Sequence, residues 1–391
     1  MPTGIQHVSK YVSLASLSLS FLTLGATAFG GPAMVAYIRK MAVEDKKWLD
    51  EETFRNGVAL CQTIPGATAM QVSAYVGFRV RGAVGAAVSF IGFGLPAFLL
   101  MVGLSAVYAR SFRLPPVVAI FNGLQVIVVA LVANATVSFG KSSLKGFWDA
   151  TIAIFAAGLF GLGVSPILVI ALAALLGLAI YKDKPVETFS ADSARNSGSV
   201  GSLFIITAVA AFGFVLLFFL ERRLFDLGAV MLKIDLFAFG GGFASVPLMF
   251  HEIVEVRSWM DSQTFLNGIA LGQITPGPIV ITATFVGYIL YGLFGAMVAT
   301  LSVFLPSFLM VIGVTPYFDR LRNSAYATRA IGAVLCSFVG LLLAVTFRFG
   351  SNIQWDVHRS LLAAVAFVAL LFKVQIIWVV LMGTILSALF L

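Results

Sequence analysis

The chain has 391 residues, of which 60% are hydrophobic and 11% charged, with a formal net charge of +8 and a mean hydropathy of +1.01. So little charge cannot cover a water-soluble body, and apolar stretches of roughly 20 residues, enough to cross a bilayer, recur from end to end. The basic excess sits in short loops between apolar runs, where it reads as topology signal and lipid-headgroup anchor, not as a nucleic-acid surface.

In chain order, the apolar runs of the first half occupy 11–38, 53–78, 82–109, 115–138, 147–163 and 165–181. The first begins near Tyr11 with no small-residue cleavage site behind it, so it reads as a retained helix. A polar linker, Lys182 to Ser199, and one extra run, Gly201 to Leu220, lead into a second series at 224–250, 263–289, 292–316, 325–347, 360–372 and 374–390. The expected organisation is an N-terminal membrane repeat (1–181), a linker with an extra transmembrane helix (182–223) and a C-terminal membrane repeat (224–391).

The two series are copies. WLDEETFRNGVALCQTIPGAT from Trp48 matches WMDSQTFLNGIALGQITPGPI from Trp259, pairing Asp50 with Asp261, Asn56 with Asn267, Gln62 with Gln273, and Pro65-Gly66 with Pro276-Gly277. Phe29-Gly30-Gly31 matches Phe239-Gly240-Gly241; Gly77, Gly82, Gly85 and Leu95-Pro96 match Gly287, Gly292, Gly295 and Leu305-Pro306. Internal duplication at this register fixes the fold class before any residue-level argument. We expect an all-α polytopic membrane protein of two homologous multi-helix repeats, inverted, with broken helices near the midplane.

Inversion follows from parity. If each repeat crosses an even number of times, one extra crossing at 201–220 starts the second repeat on the opposite face. If Pro65 and Pro276 instead turn their segments back within the membrane, the parity changes and the repeats run parallel. Arg79, Arg81, Lys141, Lys145, Lys182, Lys184, Arg320, Arg322 and Lys373 fall inside when the N-terminus is inside, whereas Arg110, Arg113, Arg222 and Arg223 fall outside.

Two motifs interrupt the helices. Phe29-Gly30-Gly31-Pro32 and Phe239-Gly240-Gly241-Gly242 weaken helix propensity and favour a restart downstream. Gln62-x-x-Pro65-Gly66 and Gln273-x-Thr275-Pro276-Gly277 do the same and set amide and hydroxyl groups at membrane depth. Half-helix N-termini carry free N–H groups and partial positive charge, which suits a tetrahedral oxyanion. Gln62, Gln273 and exposed carbonyls could equally ligate a cation, and isolated Gly or Pro residues more often serve packing. The Gly77/Gly82/Gly85 and Gly287/Gly292/Gly295 series read as a tight turn with a close helix contact.

Lys233 and Asp235 are charges within a span, opposite Thr23 and Gly25 of the first copy. Lys233 could attract an anion and Asp235 carry a coupling proton; a mutual interfacial pair is the alternative. Glu44, Glu252 and Asp261 are candidate gating residues in otherwise solvated loops. Cys61 and Cys336, with His7, His251 and His358, show no metal-ligand or disulfide spacing, so no metal and no cofactor is expected. The absence of a G-x-x-x-x-G-K-[ST] sequence disfavours an ATP-driven pump. No nucleophile with a base stands at membrane depth to suggest an enzyme.

In these paired FGG, W-to-N, Q-x-x-P-G, Gly-series and Leu-Pro motifs the sequence resembles the chromate ion transporter family, in its long two-domain form, over nearly the whole chain. The resemblance implies export of chromate, with sulfate as close analogue, by a secondary mechanism in the inner membrane of a prokaryote. Expected partners are the oxyanion, the lipid bilayer, a coupling proton and a second copy of the chain. The substrate-binding candidates are Gly30, Gly31, Gln62, Pro65, Gly66, Gly240, Gly241, Gln273, Thr275, Pro276, Gly277 and Lys233, with Asp235 for coupling.

Overall fold

The computed structural model describes residues 12–30, 32–181, 199–317 and 324–390. Gly31 and most of the linker lie outside the described residues. All regular structure described is helical. The first repeat comprises α1 (Leu14–Thr27), α2 (Pro32–Arg39, continued by a π-helical turn Lys40–Asp45), α3 (Glu51–Thr63), α4 (Thr68–Ser111), α5 (Pro115–Ser143), α6 (Phe147–Gly161) and α7 (Pro166–Ile180). After α8 (Ser199–Leu220), the second repeat comprises α9 (Arg222–Phe237), α10 (Ser245–Phe250, continued by a π-helical turn His251–Val256), α11 (Ser262–Ile274), α12 (Thr282–Val314), α13 (Ala325–Ser351), α14 (Val357–Leu371) and α15 (Ile376–Phe390).

Five of these helical stretches are long and apolar enough to span a bilayer: 68–111, 115–143, 201–220, 279–317 and 325–351. On α8 the large side chains Phe204, Val209, Phe212 and Phe219 are all exposed, as a lipid-facing helix requires. The chain is a multi-pass membrane protein.

The expected spans 53–78 and 263–289 do not cross. Each folds back at its Pro-Gly. The Tyr75 hydroxyl donates to the Thr53 carbonyl at 3.2 Å, although a continuous helix would set these residues about 33 Å apart. Gly66 and Gly277 take φ of +119° and +111°, a conformation open to glycine and strained for other residues. Gly57 lies against the Tyr75 ring, and Gly268 against that of Phe285, so each returning arm packs on its own descending helix.

The FGG segments turn back as well. Lys233 of α9 reaches Glu252, beyond the break, at 2.7 Å, whereas a straight helix would separate them by about 28 Å. Gly30 and Gly240 share this break's backbone signature, with φ of +94° and +96°. With both segments re-entrant, each repeat makes an even number of net crossings, and the parity argument for inversion survives.

A third reversal occupies the glycine series. Arg81 and Gly82 leave helical geometry, as Tyr291 and Gly292 do with almost identical angles. The Ser89 hydroxyl donates to the Ser73 carbonyl across this turn at 2.7 Å, and Thr284 meets Thr300 at 2.7 Å in the other copy. A Cβ on Gly77 would lie 2.2 Å from the Gly85 carbonyl oxygen. The expected tight turn and close contact are therefore what these glycines provide.

Helices α5 and α13 occupy equivalent places in the two repeats and pack against each other. Thr136 and Thr346, equivalent residues, touch at 3.5 Å. The Cys336 thiol meets the Ser143 carbonyl at 3.6 Å, so the two helices run antiparallel about a pseudo-two-fold axis near the threonines. The repeats are inverted relative to one another and interleaved: α5 packs on α14 and α15, and α13 on α6 and α7. Glycine makes the crossings possible, since a Cβ on Gly340 would sit 2.0 Å from the Ala153 oxygen. Asp50 and Asp261, matched in the duplicated segment, cap α3 and α11 by accepting the N–H of Thr53 at 2.8 Å and of Thr264 at 2.7 Å.

Candidate functional site

All four chain breaks meet in one cavity of about 970 Å³. Gly30 comes from the first FGG break, Thr68 and Ala69 from the start of α4, Gly240 to Gly242 from the second FGG break, and Gly277 to Ile279 from the approach to α12. The breaks hold one another reciprocally. Gly66 N–H donates to the Ala238 carbonyl at 2.8 Å, and Gly277 N–H donates to the Ala28 carbonyl at 3.1 Å. The Pro-Gly break of each repeat is thus tied to the FGG break of the other. The first N–H groups of a helix have no intrahelical acceptor, so the restarts at Thr68, Gly242 and Ile279 bring donors and positive dipole ends to this cavity.

The two glutamines differ. Gln62 is exposed on the cavity wall, whereas Gln273 lines it but is only 9% exposed. The Gln273 Nε2 has no hydrogen-bond partner among the described residues. A buried, unpaired amide donor is costly unless a ligand satisfies it. Thr275 also lines the cavity, but its hydroxyl donates to the Leu271 carbonyl at 2.8 Å.

The cavity mouth is framed by Arg39, Arg55 and Lys145, with Glu51 and Asp149. The acids are engaged. Arg39 grips Glu51 at 2.8 and 2.7 Å and Glu44 at 2.6 Å, which holds the Glu51 carboxyl below its ordinary pKa. Asp149 accepts the Tyr181 hydroxyl and, at 2.9 Å, the Lys145 backbone N–H. Arg55 and Lys145 keep exposed side chains, giving a basic mouth that concentrates anions.

At the far end of α5 and α13 the space is filled. Arg348 pairs with Glu255, donates to the Phe160 carbonyl at 2.6 Å and lies 4.4 Å from the Phe160 ring centroid. His251 contacts Glu255 at 2.8 Å, while Glu252 holds both Lys233 and Arg257. Phe349 packs against Phe250 and Phe265. Asn267 accepts from Gln125 at 2.8 Å and donates to the Tyr108 hydroxyl at 3.0 Å, a bond across the repeats. Glu252 belongs to this seal, whereas Asp261 serves as a helix cap.

Of the residues expected at the site, Gly30, Gln62, Gly240, Gly241, Gln273, Thr275 and Gly277 line the cavity. Pro65, Gly66 and Pro276 shape the breaks from behind it, and Gly31 lies outside the described residues. Lys233 is away from the cavity and paired with Glu252, not with Asp235. Asp235 is fully buried and accepts from the Ser307 N–H and hydroxyl at 2.9 and 2.7 Å. Sequence reasoning missed Ser307 and Arg348. The repeated Thr136-Val-Ser-Phe-Gly140 and Thr346-Phe-Arg-Phe-Gly350 carried a signal for Arg348, because Ser138 lines the cavity at the equivalent place.

The sequence model of the Chromate transporter family matches residues 15–178 and again 225–388. The chain belongs to the chromate transporter family. The two matches fall on the two repeats, so the family unit is one repeat and this member carries two. Among relatives, an uncharacterized transporter of Methanocaldococcus jannaschii is 44% identical over 97% of this chain and 95% of its own length. The chromate transport protein of Pseudomonas aeruginosa is 32% identical over 87% of this chain and 82% of its own. That of Cupriavidus metallidurans is 29% identical over 95% and 90%. No solved structure matches. The chromate transporter family is a family of transporters, and the architecture here, a cavity among re-entrant segments of a multi-pass protein, is of that kind.

Proposed function

We propose that the protein is a secondary transporter that exports chromate, or a closely similar divalent oxyanion such as sulfate, from the cytoplasm by alternating access. The observation that carries this reading is the convergence of half-helix starts from both repeats on one cavity holding the unpaired Gln273 amide. Half-helix starts offer N–H donors and positive dipole ends there, which favours an oxyanion over a cation. Relatives named for chromate transport support the substrate class. The cavity opens toward the end rich in Lys and Arg, which the positive-inside rule assigns to the cytoplasm and hence to the inner membrane. The sealed Arg348 end faces outward and argues against a permanently open channel. Asp235 is the candidate coupling residue and a proton the candidate coupling ion; a homodimer is compatible with the lipid-exposed helices.

The test is chromate uptake into everted membrane vesicles containing the protein, with and without excess sulfate and a protonophore. Saturable uptake, reduced by sulfate and abolished by the protonophore, is expected. Absence of uptake under any gradient would remove chromate from the assignment, and uptake indifferent to the protonophore would point to passive flux.

A further inference from the structure

The back of the α4 break holds a set of groups that no cavity residue explains. Asp235 of the second repeat accepts the backbone N–H and the hydroxyl of Ser307 on one oxygen, Oδ2. Pro306 interrupts the helical ladder at this point, and the next N–H, that of Ser307, turns to the carboxylate. The Ser307 hydroxyl in turn accepts the N–H of Ala67 at 3.1 Å, immediately before the first turn of α4. Gln71 closes the other flank by donating to the Pro65 carbonyl at 2.5 Å. A Cβ on Gly66 would meet Ser307 Oγ at 2.0 Å and Gln71 Nε2 at 2.7 Å, so serine and glutamine press on the same turn.

Among the described residues, two atoms of this cluster lack partners: Asp235 Oδ1 and Gln71 Oε1. Both residues are fully buried, and both atoms are acceptors. The cluster is therefore short of a donor. The pseudo-symmetric counterpart of this cluster is instructive, because its equivalent places are Gly25 and Ala97 of the first repeat and Pro278 of the second. Carboxylate, hydroxyl and backbone N–H are absent together there, so the three form one unit across the two repeats that has no symmetric copy.

We infer that Asp235 Oδ1 is a proton-binding site linked to the oxyanion site, so that a proton is taken up at Asp235 when the anion binds. The linkage runs through the α4 N-terminus. Thr68 and Ala69 present that terminus to the cavity, while Ala67, through Ser307, presents it to Asp235. An ionised Asp235 and a bound oxyanion are like charges on one helix end. Binding the anion favours the neutral acid, and protonating the acid strengthens anion binding by the same factor. The proton comes from solvent, forms the O–H bond at Oδ1 and leaves by the same bond; no electrons move.

Other titratable groups do not compete for this role. On α9, Lys233 is held by Glu252. The 201–220 stretch of α8 carries no charged residue, and α12 offers only Tyr288 and Tyr291. His251, Glu252 and Glu255, after α10, are engaged in the seal at the far end.

This inference rests on the oxyanion reading of the cavity. The test titrates purified full-length protein with sulfate across the neutral pH range, in two buffers of different ionisation enthalpy. Proton uptake of up to about one per anion is expected, with affinity falling by up to about tenfold per pH unit as Asp235 ionises. Asp235→Asn should bind sulfate with no proton uptake and a flat pH profile. Ser307→Ala, which removes one donor to the carboxylate, should keep the linkage and move it to higher pH. Sulfate binding without proton uptake in the unmodified protein, or unchanged uptake in both variants, overturns the inference and leaves the oxyanion site standing. Failure of sulfate and chromate to bind at any pH removes both.

Discussion

Ser138 and Arg348 stand at equivalent positions of two antiparallel helices, yet Ser138 lines the open cavity while Arg348 seals the opposite end against Glu255 and the Phe160 carbonyl. The asymmetry extends to their neighbours. Glu252 and Lys233 correspond to Met41 and Thr23, Glu255 corresponds to Glu44, which Arg39 holds, and Gln125, which engages Asn267, corresponds to Leu335. One end therefore has a charged and amide seal that the other end cannot copy. In this structure the cavity lies toward the Arg39, Arg55 and Lys145 end, and the Arg348 end is closed.

The seal predicts a measurable bias. Arg348→Ala leaves Glu255 without its guanidinium and should cost about 1.5–3 kcal/mol in the sealed state. With Cys61 and Cys336 replaced and a cysteine placed at Ala69 on the cavity wall, a membrane-impermeant thiol reagent added outside should label the Arg348→Ala protein several-fold faster than its parent. Equal labelling rates would show that Arg348 does not hold the outer end.

Gln273 gives a prediction in two directions. Gln273→Leu removes an unpaired buried amide, so the ligand-free protein should melt at the same temperature or higher. Oxyanion flux should fall at least about tenfold, the effect of losing one charge-assisted hydrogen bond. Gln62→Leu, on the exposed side of the wall, should cost less. Parallel flux assays and thermal melts of the two variants decide between a ligand role and a packing role.

The hairpin glycines should be intolerant where the backbone is close. Gly77→Ala places a Cβ 2.2 Å from the Gly85 oxygen, and Gly287→Ala one 2.2 Å from the Gly295 oxygen. Each should destabilise by about 1–3 kcal/mol or more, read as a lowered melting temperature. Gly103→Ala, with open space at the Cβ position, is the control and should melt as the parent does.

The paired caps separate structure from transport. Asp50→Ala and Asp261→Ala each remove a side-chain acceptor from a helix start and should cost about 1 kcal/mol. Flux per folded molecule should stay near the parent's. A selective loss of flux in Asp261→Ala would give that residue the gating role its place in the loop suggests.

Duplication, helical class and the positions of the breaks were legible in the sequence because glycine, proline and apolar length act locally. A Pro-Gly in mid-segment ends a helix whatever surrounds it, and 20 apolar residues need a bilayer wherever they lie. The same residues do not state the angle at a break. Whether 53–78 crosses or returns is decided by Tyr75 docking on Gly57, and whether Lys233 serves an anion or a gate is decided by Glu252 across the second break. Both are contacts between residues some 20 positions apart, set by packing and not by propensity. The unit of Asp235, Ser307 and Ala67 spans 240 positions of chain. The sequence showed a carboxylate at membrane depth; only the interleaving of two inverted repeats brought it to the start of a half-helix that belongs to the other copy.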